Sequence, residues 1–359
     1  MKKLFLFIFV TYTNFTFAQQ PIDIEKYLDG AIVNGIAKNS TDVWFCTEGN
    51  GVYKYSLTQK EWQHYSVADG NIQNDFFFCI EATDEYVWAG STDGLFILDI
   101  ARDQWTRRKF GLGGQLSNWI RGITYDKYSD VVWIGRFMYL TKYDIKSKRY
   151  TDYDLTVENV AKTNSIKAIG VENNKYVWFG TEAGLHKYNK TINMNADGAL
   201  TFYDNRLNYF NGRGEEVSIS EILVERDYIW IGLDEFVTAD RPTFNLGGIF
   251  KYDKKNQWLR FDTENGLRAN GISSLARTGN YIWAALYQFG KETKEQYGRG
   301  VALINREDGN VITISEEYIP ASVLSLCFDG DFMWVGSKAG VYKIAITNDL
   351  ANWSVKSNE

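Results

Sequence analysis

Apolar and polar residues alternate in short runs along nearly the whole chain, and Gly, Asn or Asp interrupts them every few residues. Period-two runs rich in Val, Ile, Tyr, Phe and Trp predict half-buried β-strands. No long segment carries the helical period, and there are only three prolines. The runs recur in a fixed order. An apolar segment comes first, as in Ile120-Arg-Gly-Ile123, Ile166-Lys-Ala-Ile169 and Val323-Leu-Ser-Leu326. A polar turn leads to a second segment centred on Trp. A second turn, usually ending in Gly (Gly51, Gly94, Gly184, Gly248, Gly300, Gly340), opens a third. The fourth begins with Trp or Tyr and then alternates with polar residues (Trp62, Trp105, Tyr150, Trp258, Trp353). We label the four segments a to d.

The Trp of segment b appears seven times, at 44, 88, 133, 178, 230, 283 and 334, with spacings of 44, 45, 45, 52, 53 and 51 residues. A fixed period of this size, built from four short strands, predicts an all-β, seven-bladed β-propeller of four-stranded antiparallel blades. One blade cannot bury both faces of its sheet alone, so the ring must close. The repeats place the propeller at residues 31–356, after an N-terminal segment at 19–30, and put strand d of the last blade at 351–356. Residues 22–28 are expected to add an edge strand or a clasp between the terminal blades.

Residues 1–18 carry Lys2 and Lys3, an apolar run from Leu4 to Val10, and Thr16-Phe-Ala18 before Gln19. This pattern reads as a secretory signal peptide and implies a periplasmic or secreted protein without a membrane span. Without those two lysines the net charge falls from −6 to −8, which argues against a nucleic-acid partner. The three cysteines, Cys46, Cys79 and Cys327, occupy inner strands and read as small buried hydrophobes rather than a disulfide framework. With only His64 and His186 in the chain, no Cys/His cluster has metal-site spacing. Neither a metal nor a cofactor is expected.

The phrase Tyr176-Val-Trp-Phe-Gly-Thr-Glu-Ala-Gly-Leu-His-Lys-Tyr188, echoed at Tyr86-Val-Trp-Ala-Gly-Ser-Thr-Asp-Gly-Leu95, resembles the repeats of two-component regulator propellers. These are periplasmic sensor modules of bacterial hybrid histidine kinases, in which a membrane span and a kinase follow. The resemblance covers nearly the whole mature chain and implies the propeller and a bias toward glycan ligands. Neither a span nor a kinase follows by Glu359, so the signalling role is not carried over. Secreted seven-bladed polysaccharide lyases, such as ulvan lyases, are similar in architecture only.

A site is sought where the repeat breaks. After the strand-b Gly slot stand Thr47, Ser91, Arg136, Thr181, Leu233, Leu286 and Ser337, so blades three, five and six lose the small hydroxyl. The b–c turns of blades five and six are expanded through residues 234–246 and 287–299. Trp119 is the one Trp outside strands b and d. Arg121 and Lys167 occupy a strand-a slot held elsewhere by Asn34, Phe78, Ser220, Ser273 and Leu324. Alternation points that slot either into the central channel or toward a neighbouring sheet. In the second case the cations would meet Glu221 and similar acids. His186 replaces an aromatic residue at the start of strand c.

These departures predict one concavity that holds Trp119, Arg121, Arg136, Lys167 and His186. Its cations would bind a carboxylate or sulfate, and Phe236, Tyr287, Phe289 and Tyr297 would stack on sugar rings. The expected ligand is an acidic, uronate-containing saccharide. If the protein is an enzyme, β-elimination fits best. Arg121, Arg136 or Lys167 would neutralise the carboxylate, and His186, Tyr139, Tyr287 or Tyr297 would move the proton. Hydrolysis would need a carboxylate pair drawn from Glu182, Asp234, Glu235, Asp240 and Glu292. The alternative is a non-catalytic glycan-binding or sensing propeller that uses the same residues without a proton acceptor.

Overall fold

The computed structural model describes residues 23–346. The leader at 1–18 and the strand-d assignment at 351–356, with Trp353, lie outside the described residues. Seven four-stranded antiparallel sheets form the ring. In blades one to six the order is a-b-c-d, with the a strands innermost. Blade seven takes strands a to c from Val323–Phe328, Phe332–Ser337 and Gly340–Ala345, and its outer strand is Ile24–Tyr27. Ile24 pairs with Ile344 and Tyr27 with Val341. The N-terminal stretch is therefore part of the propeller and does not merely precede it. Strand c of blade seven needs a partner for its outer edge, and Tyr27 fills the space between Tyr55, Trp62 and Trp334.

The repeated phrase has a packing cause. All seven strand-b Trp side chains are buried. The Gly two residues after the Trp leaves room for the next blade. A Cβ on Gly180 would stand 2.5 Å from Ile219 Cγ2, and the same contact recurs between Gly232 and Ile272 at 2.7 Å. The Trp–x–Gly motif is thus a socket, and an Ile at the start of the following strand a fills it. Indole N–H groups find acceptors in the a–b turns: Trp178 donates to Glu172 at 2.7 Å, Trp230 to Glu225 at 2.8 Å and Trp334 to Asp329 at 2.7 Å.

Glu172 and Glu225, and Asp126 beneath Trp133, also receive a cation from the next blade's c–d turn. Lys190 pairs with Asp126 at 2.6 Å, Lys254 with Glu172 at 3.1 Å and Arg306 with Glu225 at 2.8 Å. The pairs tie blades three to six together on the face of the a–b and c–d turns, called here the a–b face.

Strand a decides where Arg121 and Lys167 point. In six blades the a–b ladder shifts register at the slot residue, for example between Ile120 and Gly122 and between Ile166 and Ala168. Such a bulge turns one side chain out of the sheet's alternation. All seven slot residues line a central channel cavity of about 350 Å³.

Candidate ligand-binding site

On the opposite face lie the b–c turns and the d–a connections. In regular blades the small hydroxyl closes the b–c turn. Thr181 donates to the carbonyl of Gly184 at 2.8 Å and accepts from the Ala183 amide at 3.1 Å. Ser91 and Ser337 repeat the pattern. Blades five and six replace the hydroxyl with Leu233 and Leu286, both buried, and their turns open into hairpins. Strands Ile229–Phe236 and Asn245–Tyr252 form the first, and Tyr281–Phe289 and Gln296–Asn305 the second. They lean on each other. Glu235 accepts from the Phe289 amide at 2.8 Å, and the rings of Phe236 and Phe289 lie 4.5 Å apart.

The hairpins wall a pocket of about 290 Å³ that meets the channel at Lys167. Asp234 is its hub. It pairs with Lys167, accepts from Ser218 at 2.5 Å and accepts the Tyr287 hydroxyl at 3.1 Å. Burial raises the Asp234 pKa, but Lys167 and the two hydroxyls outweigh it and hold the carboxyl below the usual range. The Tyr287 ring rests on the backbone of Gly271, where a Cβ would stand 2.4 Å from Cε2. Burial first, and Asp234 second, push its phenol far above the usual value. Burial also raises Glu235. Lys162 spans the pocket from Glu216, at 2.6 Å, to the Phe244 ring, at 4.8 Å.

Across the channel mouth, Arg121 pairs with Glu182 and donates to Ser165 at 2.7 Å. Its guanidinium stands 5.3 Å from Trp119 and 5.5 Å from Phe137. Those two rings are parallel within 4°. Trp119 is half-buried beside Phe78, a channel-lining residue. The cations do not meet Glu221. That half-buried carboxyl accepts its neighbour's amide and no other hydrogen bond among the described residues, and burial pushes its pKa up to about 7.

The structure therefore brings Lys167, Tyr287, Phe236 and Phe289 into one pocket, with Arg121 and Trp119 beside it. Four expected members lie elsewhere. Arg136 has no exposed side-chain surface; Ser117 at 2.6 Å and Asp152 at 2.9 Å hold it over the Phe110 ring. It braces a turn that has lost both its Gly and its hydroxyl. Tyr139 takes φ 77° in the same turn, and its ring covers Gly113. Tyr297 is exposed and its hydroxyl donates to Glu295 at 3.2 Å.

His186 is buried under Phe202, with Nε2 2.9 Å from the Thr163 carbonyl. Burial pushes its pKa from 6.5 down to about 4. The stability tied to its neutral form is complete above pH 6.5 and is lost as pH falls through about 4, a loss on the order of 3 kcal/mol at that point. His186→Phe should flatten that acid limb in urea titrations at pH 4 to 7 and leave ligand binding intact.

The expected cationic spot is neutralised. Three cations (Arg121, Lys162, Lys167) meet four carboxylates (Glu182, Glu216, Asp234, Glu235). Lys162, Glu216 and Ser218 escaped the sequence reading because they sit in d–a connections of unequal length, which no repeat alignment can register. His64, the second histidine, uses both ring nitrogens, on Asn50 and Asp69.

No family model matches the chain. It is 23% identical over 332 residues to a histidine kinase, P4, of Formosa agariphila, covering 86% of this chain and 22% of that protein. The chain thus spans about a fifth of the relative's length. The extracellular domain of a putative hybrid two-component system from B. thetaiotaomicron superposes with a TM-score of 0.66 at 17% identity, over 92% of this chain and 40% of that one. The chain resembles two-component regulator propellers. Virginiamycin B lyase from Staphylococcus aureus superposes with a TM-score of 0.67 at 10% identity, over 91% of this chain and all of the lyase chain. At these identities the superpositions show the fold. Among the described residues no helix is long and apolar enough to cross a membrane.

Proposed function

We propose that the protein is an extracytoplasmic, non-catalytic propeller that binds a saccharide at the mouth of its channel, between the Trp119 platform and the hairpin pocket. One observation carries this reading. The four side chains expected to move a proton are poorly placed for it: His186 is buried and neutral, Tyr139 packs over Gly113, Tyr287 donates to Asp234, and Tyr297 lies outside the pocket with its hydroxyl on Glu295. A β-elimination needs a free base beside a neutralised carboxylate, and none of these four supplies one at the mouth. What it does offer is exposed aromatic surface at Phe236 and Trp119 with fixed, alternating donors and acceptors. That combination suits the apolar faces and hydroxyl edges of sugars. With its three cations answered by carboxylates, the mouth fits neutral sugars at least as well as the uronates expected from sequence.

The test is a panel of neutral and acidic oligosaccharides followed by calorimetry, ultraviolet absorbance of unsaturated uronates, and mass. Binding without new product is expected, and release of an unsaturated product from any member overturns the non-catalytic reading. Trp119→Ala and Phe236→Ala should each weaken binding about tenfold, since loss of one stacked ring is worth about 1–1.5 kcal/mol. The melting temperature should fall by only a few degrees, about what the loss of one partly buried ring costs in a domain of this size.

A further inference from the structure

We propose that the other mouth of the channel, on the a–b face, is a separate site for an organic carboxylate with an apolar body. It goes beyond the saccharide site and rests on different residues.

The cavity there measures about 710 Å³, larger than the hairpin pocket and within the range that encloses a drug-sized ligand. It meets the channel at Thr124 and Ile169, which line both. Ile169, Ile222 and Val224 form an apolar floor. Tyr125 and the exposed Tyr128 stand at its edge.

Charge separates this mouth from the other one. Four cations line it (Lys127, Arg226, Lys254, Arg277) against two carboxylates (Glu172, Glu225), an excess of two positive charges on a chain of −6. The clamp between blades uses only part of that charge. Lys254 neutralises Glu172. Glu225, however, lies between two guanidiniums, Arg277 at 3.0 Å and Arg306 at 2.8 Å, and also accepts the Trp230 indole. One carboxylate thus serves two arginines, and Arg277 keeps nearly half its side-chain surface exposed. Arg226 and Lys127 are exposed, and among the described residues neither makes an ion pair. Of the acids nearby, Asp126 is paired with Lys190 and Asp130 accepts the Tyr125 hydroxyl, while Asp227 is exposed beside Arg226.

A planar carboxylate suits the free edges of Arg277 and Arg226, because a guanidinium offers it two parallel donors. The aliphatic floor and the two tyrosines would cover an apolar or aromatic body. A neutral ligand would leave the rim's excess charge unanswered, so the anion is the feature that the site selects.

A matched probe pair isolates the charge: indole-3-acetate and its neutral amide, indole-3-acetamide. Calorimetry and saturation-transfer NMR should show the acetate binding at least about tenfold more tightly than the amide, with the advantage shrinking as salt rises. The double variant Lys127→Gln/Arg226→Gln touches no structural ion pair. It should weaken acetate binding about tenfold at an unchanged melting temperature. Lys167→Ala, at the opposite mouth, should leave acetate binding as in the wild type, so this proposal and the saccharide reading fail independently. Equal binding of acetate and amide, wild-type affinity in the double variant, or no acetate binding at millimolar concentration would each overturn the proposal.

Discussion

A chain that starts at Ala31 should lose on the order of 5 kcal/mol of stability, because it lacks the outer strand of blade seven. Four residues pair along Ile24–Tyr27, and each ladder hydrogen bond is worth about 1 kcal/mol net. The half-buried Tyr27 ring adds about 1–2 kcal/mol through its contacts with Tyr55, Trp62 and Trp334. Lys343, nearly buried, also loses Glu25 at 2.7 Å. The total is a large share of an ordinary domain's stability of about 5–15 kcal/mol. Denaturant unfolding should show a lowered midpoint, and the exposed edge of Gly340–Ala345 should promote association. Tyr27→Ala should reproduce part of the loss and Tyr27→Phe almost none, since the hydroxyl's partner, Glu25, is exposed. An unchanged midpoint in the truncated chain would show that the ring does not depend on this closure.

Asp126→Ala should cost about 3–5 kcal/mol, because it strands a buried cation. The Asp126 side chain has no exposed surface and that of Lys190 only 6%. Removing the acid leaves the ammonium with Ser129 as its remaining partner, at 3.2 Å, and takes the acceptor from the Trp133 indole. Replacing both partners, Asp126→Leu with Lys190→Met, should recover most of the loss, because an apolar pair of similar volume carries no desolvation cost. A double-mutant cycle by urea unfolding measures the coupling. Strictly additive losses would show that the pair does not link blades three and four as its geometry implies.

Why the chain announces its fold so openly is visible at single residues. Trp178 recurs in all seven blades and Gly180 in five, with Cys46 and Ala285 in the other two, because each blade presents a buried ring and a small-residue socket to its neighbour, and local strand patterning cannot hide so regular a requirement. The end of the ring was harder. Residues 24–27 form an ordinary short strand with no Trp or Gly signature, so only the unpaired edge of strand c reveals where they go. The slot of Arg121 and Lys167 shows another limit. Period-two alternation allowed two directions, and the bulge that selects the channel is a backbone event with no fixed residue type.

The site was legible as a region more than as a list. The lengthened b–c turns marked the hairpins, and with them Phe236, Tyr287 and Phe289. Arg136 and His186 were singled out for the same reason, their departure from a repeat slot, yet both are buried. A substitution inside a blade can repair packing just as well as it can build a site. Arg136 does this by replacing a lost turn hydroxyl, and His186 by filling an aromatic slot. The partners of Lys167 and Arg121 come from other blades, so no reading of one repeat could show that the charge at the mouth is balanced.

The most direct test of the central claim is hydrogen exchange with and without an oligosaccharide that the panel shows to bind. Protection is expected in residues 234–246 and 287–299 and around Trp119, with the a–b turns unchanged. Protection confined to the a–b turns at 124–128 and 224–228, or to the outer strands, would contradict it.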